Sequence, residues 1–147
     1  MRVLVQRTTG AEVFIDGALH SRTGAGLLLL VGTRIGDSRE SCAFLADKVV
    51  NLRIFEDGQG KMNRSVLEIG GEIMIVSQFT LYADTRKGRR PSFTDAMKPL
   101  EAQQFYDRFV ELVQASGLNV ATGVFGAEMD LKFVNHGPVT VLLEHEV

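Results

Sequence analysis

The stretch GLLLLVG, Gly26–Gly32, is apolar along its whole length. A strand with one wet face alternates apolar and polar residues. This run does not alternate, and it reads as a strand covered on both faces. The widest form of the run, Ala25–Val31, is far too short to span a bilayer. Upstream, RVLVQRTTGAEVFIDGALHS (residues 2–21) reads as strand, turn, strand, tight turn, strand, with Asp16-Gly17 as the two-residue hairpin signal. Downstream, Asp37 or Ser38 can cap a helix running to about Leu52, with Cys42, Leu45, Ala46, Val49 and Val50 as its inner stripe. A covered strand followed by an amphipathic helix predicts an α/β arrangement.

The same alternation of elements continues. RIF reads as a short strand, and EDGQGKMN as a Gly-rich loop without phosphate-loop spacing. Gly70-Gly71 precedes EIMIVSQFTLYA, the strongest strand signal in the chain, and the polar, basic stretch DTRKGRRPSFTDAMK follows it. Pro99 suits the first position of a second helix, PLEAQQFYDRFVELVQAS, with Phe105, Phe109, Leu112 and Val113 inward and Gly117 at its end. LNVATGVF and LKFVNHGPVTVLLE supply the last strands. The expected fold is one compact α/β domain over residues 1–147, a mixed sheet packed with two long helices.

Composition narrows the class. At 147 residues, 45% hydrophobic and 23% charged, the chain can bury roughly 68–70% of its unfolded surface without disulfides or metal. The N-terminal stretch MRVLVQRTTGAEVF has no signal-peptide pattern. The single cysteine, Cys42, reads as a small buried hydrophobe in a reducing cytoplasm. A net charge of −2 argues against wholesale binding of a nucleic-acid backbone, but not against reading one end of an RNA. His20, His136 and His145 are scattered and no Cys or His pair has ligand spacing, so neither metal nor cofactor is expected.

Two stretches remain as candidate chemistry. If the strand continues through SQFTLY (77–82), Gln78, Thr80 and Tyr82 share one face and Ser77, Phe79 and Leu81 the other. A hydroxyl nucleophile, Ser77 or Thr80, would need a base within reach, and the plain alternative is that these hydroxyls satisfy backbone groups. The basic run RKGRR (86–90) is either a solvated loop or a contact for a few phosphates. Arg7, on the first strand, must meet acceptors such as carbonyls if it is buried. NHGPVT (135–140) sets Gly137-Pro138 inside the last apolar segment, where proline cannot serve a ladder.

SQFTLY and NHGPVT together resemble the paired signature of the D-aminoacyl-tRNA deacylases. The resemblance extends through VQR at Arg7, GAGLLLLVG (24–32), GKMN (60–63), RPSF (90–93) and TGVFGAEM (122–129). It implies a barrel-like mixed sheet and a homodimer with its site at the subunit interface. It also implies hydrolysis of the ester between a D-amino acid and the terminal adenosine of tRNA, with glycyl-tRNA cleaved and L-aminoacyl-tRNA rejected. By position, Ser77, Gln78, Phe79 and Thr80 are the catalytic segment, and Leu81 completes the aminoacyl pocket. Gly137 and Pro138, joined by a cis bond and held by Arg7, form a chiral filter that enters the partner's site. Ala102, Phe125 and Met129 surround the adenosine. Catalysis then needs backbone N–H donors and the tRNA 2′-hydroxyl. The alternatives are a Thr80 nucleophile or a module that only binds tRNA ends.

Overall fold

The computed structural model describes residues 1–146. The chain begins with β1 (Arg2–Ile15), a single strand of 14 residues, where the sequence predicted strand, turn, strand. Thr8–Gly10 is a change of partners, not a turn. Up to Thr8, β1 pairs antiparallel with β3 (Gly26–Gly32), and from Ala11 it pairs with β2 (Ala18–Thr23). The irregular register between Thr8 and Ala11 against β8 (Asp130–Glu144) absorbs the bend. The β1–β2 turn is Asp16-Gly17, both at positive φ (50° and 77°), as a two-residue hairpin requires.

β3 pairs parallel with β6 (Glu72–Ser77), which pairs parallel with β7 (Val120–Thr122), giving the mixed order β2-β1-β3-β6-β7 with β8 on the free side of β1. Ser21 Oγ of β2 donates to Thr122 O of β7 at 2.7 Å, drawing the two ends of the sheet together into a nearly closed barrel. The side chains of β3 and β6 explain their unbroken apolar sequences. Leu27, Leu29, Val31, Ile73 and Ile75 pack outward against α1 (Arg39–Asn51) and α3 (Pro99–Gln114), whereas Leu28, Met74 and Val76 pack inward with Ala11 and Val13.

Ser38 caps α1, and all five residues of its predicted stripe are buried. α3 starts at Pro99 and buries Ala102, Tyr106, Phe109, Val110 and Val113, while Phe105 and Leu112 are only half-buried at its margin. Between the helices, β4 (Phe55–Glu56) and β5 (Met62–Arg64) form a small hairpin, and α2 (Val66–Ile69) is one turn held by a Ser65–Glu68 capping box. No helix of the described residues is long and apolar enough to cross a membrane.

Candidate active site

The predicted strand through SQFTLY stops at Ser77. Gln78 takes φ −143° and ψ 79°, and Phe79–Tyr82 winds into a 3-10 turn. The face-sharing expected of an extended strand therefore does not apply from Gln78 onward. The reason lies in the neighbouring strand. A Cβ on Gly32 would stand 3.0 Å from both Gln78 O and Leu81 Cβ, so the glycine at the end of β3 leaves the space into which the chain folds. Gln78 N–H still donates to Val31 O at 2.7 Å, and the turn's first internal bond is Leu81 N–H to Gln78 O at 3.2 Å. Phe79 and Thr80, the first two residues of the turn, donate their N–H groups to no other group of the described residues.

This strand end forms one wall of a pocket of about 540 Å³. Ser77 lines it from the end of β6, Gln78 and Phe79 from the turn that follows, Ala102 from α3, and Phe125 and Met129 from the segment after β7. Six of the residues singled out in the sequence thus meet in one cavity. Thr80 and Leu81 do not line it. Thr80 Oγ1 accepts a short hydrogen bond from Gln78 Nε2, and Leu81 is directed toward Gly32.

The walls are braced from behind. Tyr106 donates its hydroxyl to Ile75 O at 2.8 Å and packs against Phe125 with ring centroids 5.9 Å apart, and its burial pushes the phenol pKa upward. Val124 N–H lies 3.4 Å from Met129 Sδ. Phe79 meets Phe93 edge-on at 5.0 Å, and Phe93 also lines the pocket. Phe93 carried no functional role in the sequence reading. Its signal was there, an aromatic residue closing a basic loop beside a strand end. Among the described residues lining the cavity, Lys98 is the only ionisable side chain. No group of three or more potential metal ligands occurs among the described residues.

Gly137 and Pro138 lie elsewhere. They are exposed on β8, their peptide bond is cis, and neither lines the pocket of its own chain. Arg7 reaches this segment from β1. It is 7% exposed, with Nε donating to His136 O at 3.1 Å and Nη1 to Ile54 O at 2.8 Å. No carboxylate pairs with it among the described residues, so a buried guanidinium is satisfied by carbonyls. Asn135 steadies the other flank, accepting from Val139 N–H at 3.0 Å and donating to Thr140 Oγ1 at 2.8 Å. Gly137 has φ +127°, and a Cβ there would stand 2.9 Å from Arg7 Nη2 and from Val139 Cγ2.

Comparisons with known proteins show the family. The family described as D-Tyr-tRNA(Tyr) deacylase matches residues 4–144. A protein of Thermomicrobium roseum named D-aminoacyl-tRNA deacylase is 58% identical over 144 residues, covering 98% of this chain and 94% of that one. Its namesake from Bacillus velezensis is 51% identical over 144 residues, with 98% of each chain covered. The solved c-Myc DNA Unwinding Element Binding Protein superposes with a TM-score of 0.94 at 38% identity over 100% of both chains. A probable eukaryotic D-amino acid tRNA deacylase shares the fold with a TM-score of 0.83 at 21% identity, covering 97% of each. With a family match over nearly its full length and relatives above half identity, the chain belongs to the D-aminoacyl-tRNA deacylase family.

Proposed function

We propose that the protein hydrolyses the ester joining a D-amino acid to the 3′-terminal adenosine of tRNA, also clears glycyl-tRNA, and spares L-aminoacyl-tRNA. The observation that carries this reading is the pocket at the end of β6. It joins an aromatic adenosine wall, Phe125 with Ala102 and Met129, to a turn with two N–H groups unengaged among the described residues, and no carboxylate or imidazole of those residues lines it. A base can stack on Phe125. The N–H groups of Phe79 and Thr80 can receive the oxyanion that develops on the ester carbonyl. With no carboxylate or imidazole base among the described residues of this lining, the terminal 2′-hydroxyl assists the attacking water. The ester C–O bond then breaks and the ribose oxygen leaves with a proton. Thr80 is a poor nucleophile here, because its hydroxyl is tied to the Gln78 amide and no base bonds it.

Gly137-Pro138 acts on a partner's pocket in a homodimer. Two observations support that arrangement. The segment is exposed and does not line its own chain's pocket, and among the described residues β8 pairs with β1 alone, with Val134 and Leu142 exposed along it. Main-chain atoms set against the substrate's α-carbon exclude an L side chain and are indifferent to which D side chain is present. Charging of tRNA places this work in the cytoplasm. The test is release of amino acid from D-Tyr-, D-Asp-, Gly- and L-Tyr-tRNA at matched enzyme. Cleavage of the first three and survival of the fourth is the expected result, and comparable cleavage of L-Tyr-tRNA defeats the filter.

A further inference from the structure

We propose that the loop Asp84–Ser92 is a binding site for the RNA backbone, gripping the phosphodiesters just 5′ of the terminal adenosine. This rests on the reading of the pocket as an aminoacyl-adenosine site and extends it to the tRNA strand. In a chain of net charge −2, the segment Asp84–Lys98 holds five basic residues against two acidic ones. The structure sorts these charges. Arg86 is committed to the loop itself, with Nε and Nη2 donating to the two Asp84 carboxylate oxygens at 2.9 and 2.7 Å. That pairing holds the Asp84 carboxyl down at about 2. Lys87, Arg89 and Arg90 are exposed and have no carboxylate partner among the described residues.

The loop is also tethered. Asp84 and Ser92 exchange two backbone hydrogen bonds, 2.7 and 2.9 Å, that close its neck. Phe93, the next residue, lines the pocket and packs on Phe79. Arg90 is three residues from Phe93, so its Cα lies within about 11 Å of that wall. At about 3.4 Å of rise per stacked nucleotide, this is a reach of roughly three nucleotides. Lys98, an exposed residue, adds a further cation to the pocket's lining. Continuity with a pocket walled by aromatic residues favours a polynucleotide over an acidic protein as the occupant, because the same strand can place its last base in the pocket and its phosphates on the loop.

The experiment compares wild type with the triple variant Lys87→Ala, Arg89→Ala, Arg90→Ala on two substrates, D-Tyr-tRNA and the 3′-D-tyrosyl ester of adenosine alone. For tRNA, kcat/KM is expected to fall on the order of 10–100-fold at low salt. The slope of log kcat/KM against log salt should flatten by about 2, three contacts at about 0.7 each. The adenosine ester, which has no phosphate, should be cleaved at an unchanged rate by both proteins. Equal losses on both substrates, or no loss on either, overturn the proposal. If wild type cleaves neither substrate, the catalytic reading fails instead, and the loop is judged by salt-dependent tRNA binding. Unchanged binding by the folded triple variant would then overturn it.

Discussion

The strand end at Ser77–Thr80 and the projection at His136–Pro138 are held in place by opposite means. The first follows a buried strand: Ile73, Met74, Ile75 and Val76 are packed on both faces, and the turn inherits their position. The second stands exposed on a strand with one free edge, and its carbonyl side is anchored by one buried guanidinium. A site wall built on core packing tolerates the loss of any one polar contact. A segment whose carbonyl is held by one cation, with Asn135 bracing only the opposite flank, is displaced more easily. The two regions should therefore respond differently to substitution, and that difference can be measured.

The largest effect is expected at Arg7. Arg7→Ala removes the donor to His136 O and leaves Ile54 O buried and unpaired. Hydrogen bonds to a charged group are each worth about 1.5–3 kcal/mol, so a stability loss on the order of 3 kcal/mol should appear in denaturant melts. Displacement of the His136–Pro138 backbone by about 1 Å is enough for a roughly 100-fold fall in D-aminoacyl-tRNA turnover. Arg7→Lys should recover part of the stability and little of the turnover, since one ammonium cannot match the two-pronged geometry. Full activity in a folded Arg7→Ala would show that the projection needs no anchor, and the contrast between the two regions would fail.

Gly137→Ala comes next. The added methyl meets Arg7 Nη2 and Val139 Cγ2 at 2.9 Å, in a backbone region that costs other residues about 1–3 kcal/mol. A roughly tenfold or greater loss of turnover, with a smaller stability change than Arg7→Ala, is expected. Measuring D- and L-Tyr-tRNA in parallel separates a blocked site from a loosened filter. A variant with wild-type rates on D-Tyr-tRNA and no gain on L-Tyr-tRNA contradicts the assignment of Gly137 to the filter.

The sequence was legible unevenly, and the same two regions show why. Burial on both faces leaves a pattern in the chain itself, so β3, β6 and the inner stripe of α1 could be read directly from GLLLLVG, EIMIV and the spacing of Cys42, Leu45, Ala46, Val49 and Val50. Long-range geometry leaves no such pattern. FTLY has the composition of a strand, yet it turns because Gly32, more than forty residues earlier, vacates the space beneath it. Thr-Thr-Gly has the composition of a turn, yet it is a bend within one strand that exchanges β3 for β2. The meeting of Ser77, Ala102, Phe125 and Met129 was legible only through resemblance, because three separate elements bring them together.

Phe125→Ala tests the pocket side of the comparison. Loss of a stacking face costs about 1–3 kcal/mol per base. KM for the adenosine ester should therefore rise roughly tenfold while kcat holds. Tyr106→Phe should act in the same direction but more weakly. It deletes only the bond to Ile75 O, worth about 1 kcal/mol, and leaves the ring against Phe125. A Phe125→Ala variant whose kcat falls and whose KM stays constant would place the residue in the chemical step instead.

The smallest effect is expected at Thr80. Its side chain bonds Gln78 and does not line the cavity, while its N–H survives any substitution other than proline. Thr80→Ala should change kcat on D-Tyr-tRNA by less than about threefold. A tRNA ending in 2′-deoxyadenosine should nearly abolish turnover by either protein. The pH profile gives an independent check. Among the described residues lining one protomer's pocket Lys98 is the only ionisable one, so once the histidine beside the projection is removed by His136→Asn, log kcat/KM should show no inflection near pH 6.5, the ordinary range of a histidine base. If Thr80→Ala were inactive while folded, and the wild-type enzyme could be trapped as an acyl ester on Thr80, the hydroxyl would be the nucleophile. The turn would then act through a side chain, and its tolerance of polar substitutions would not hold.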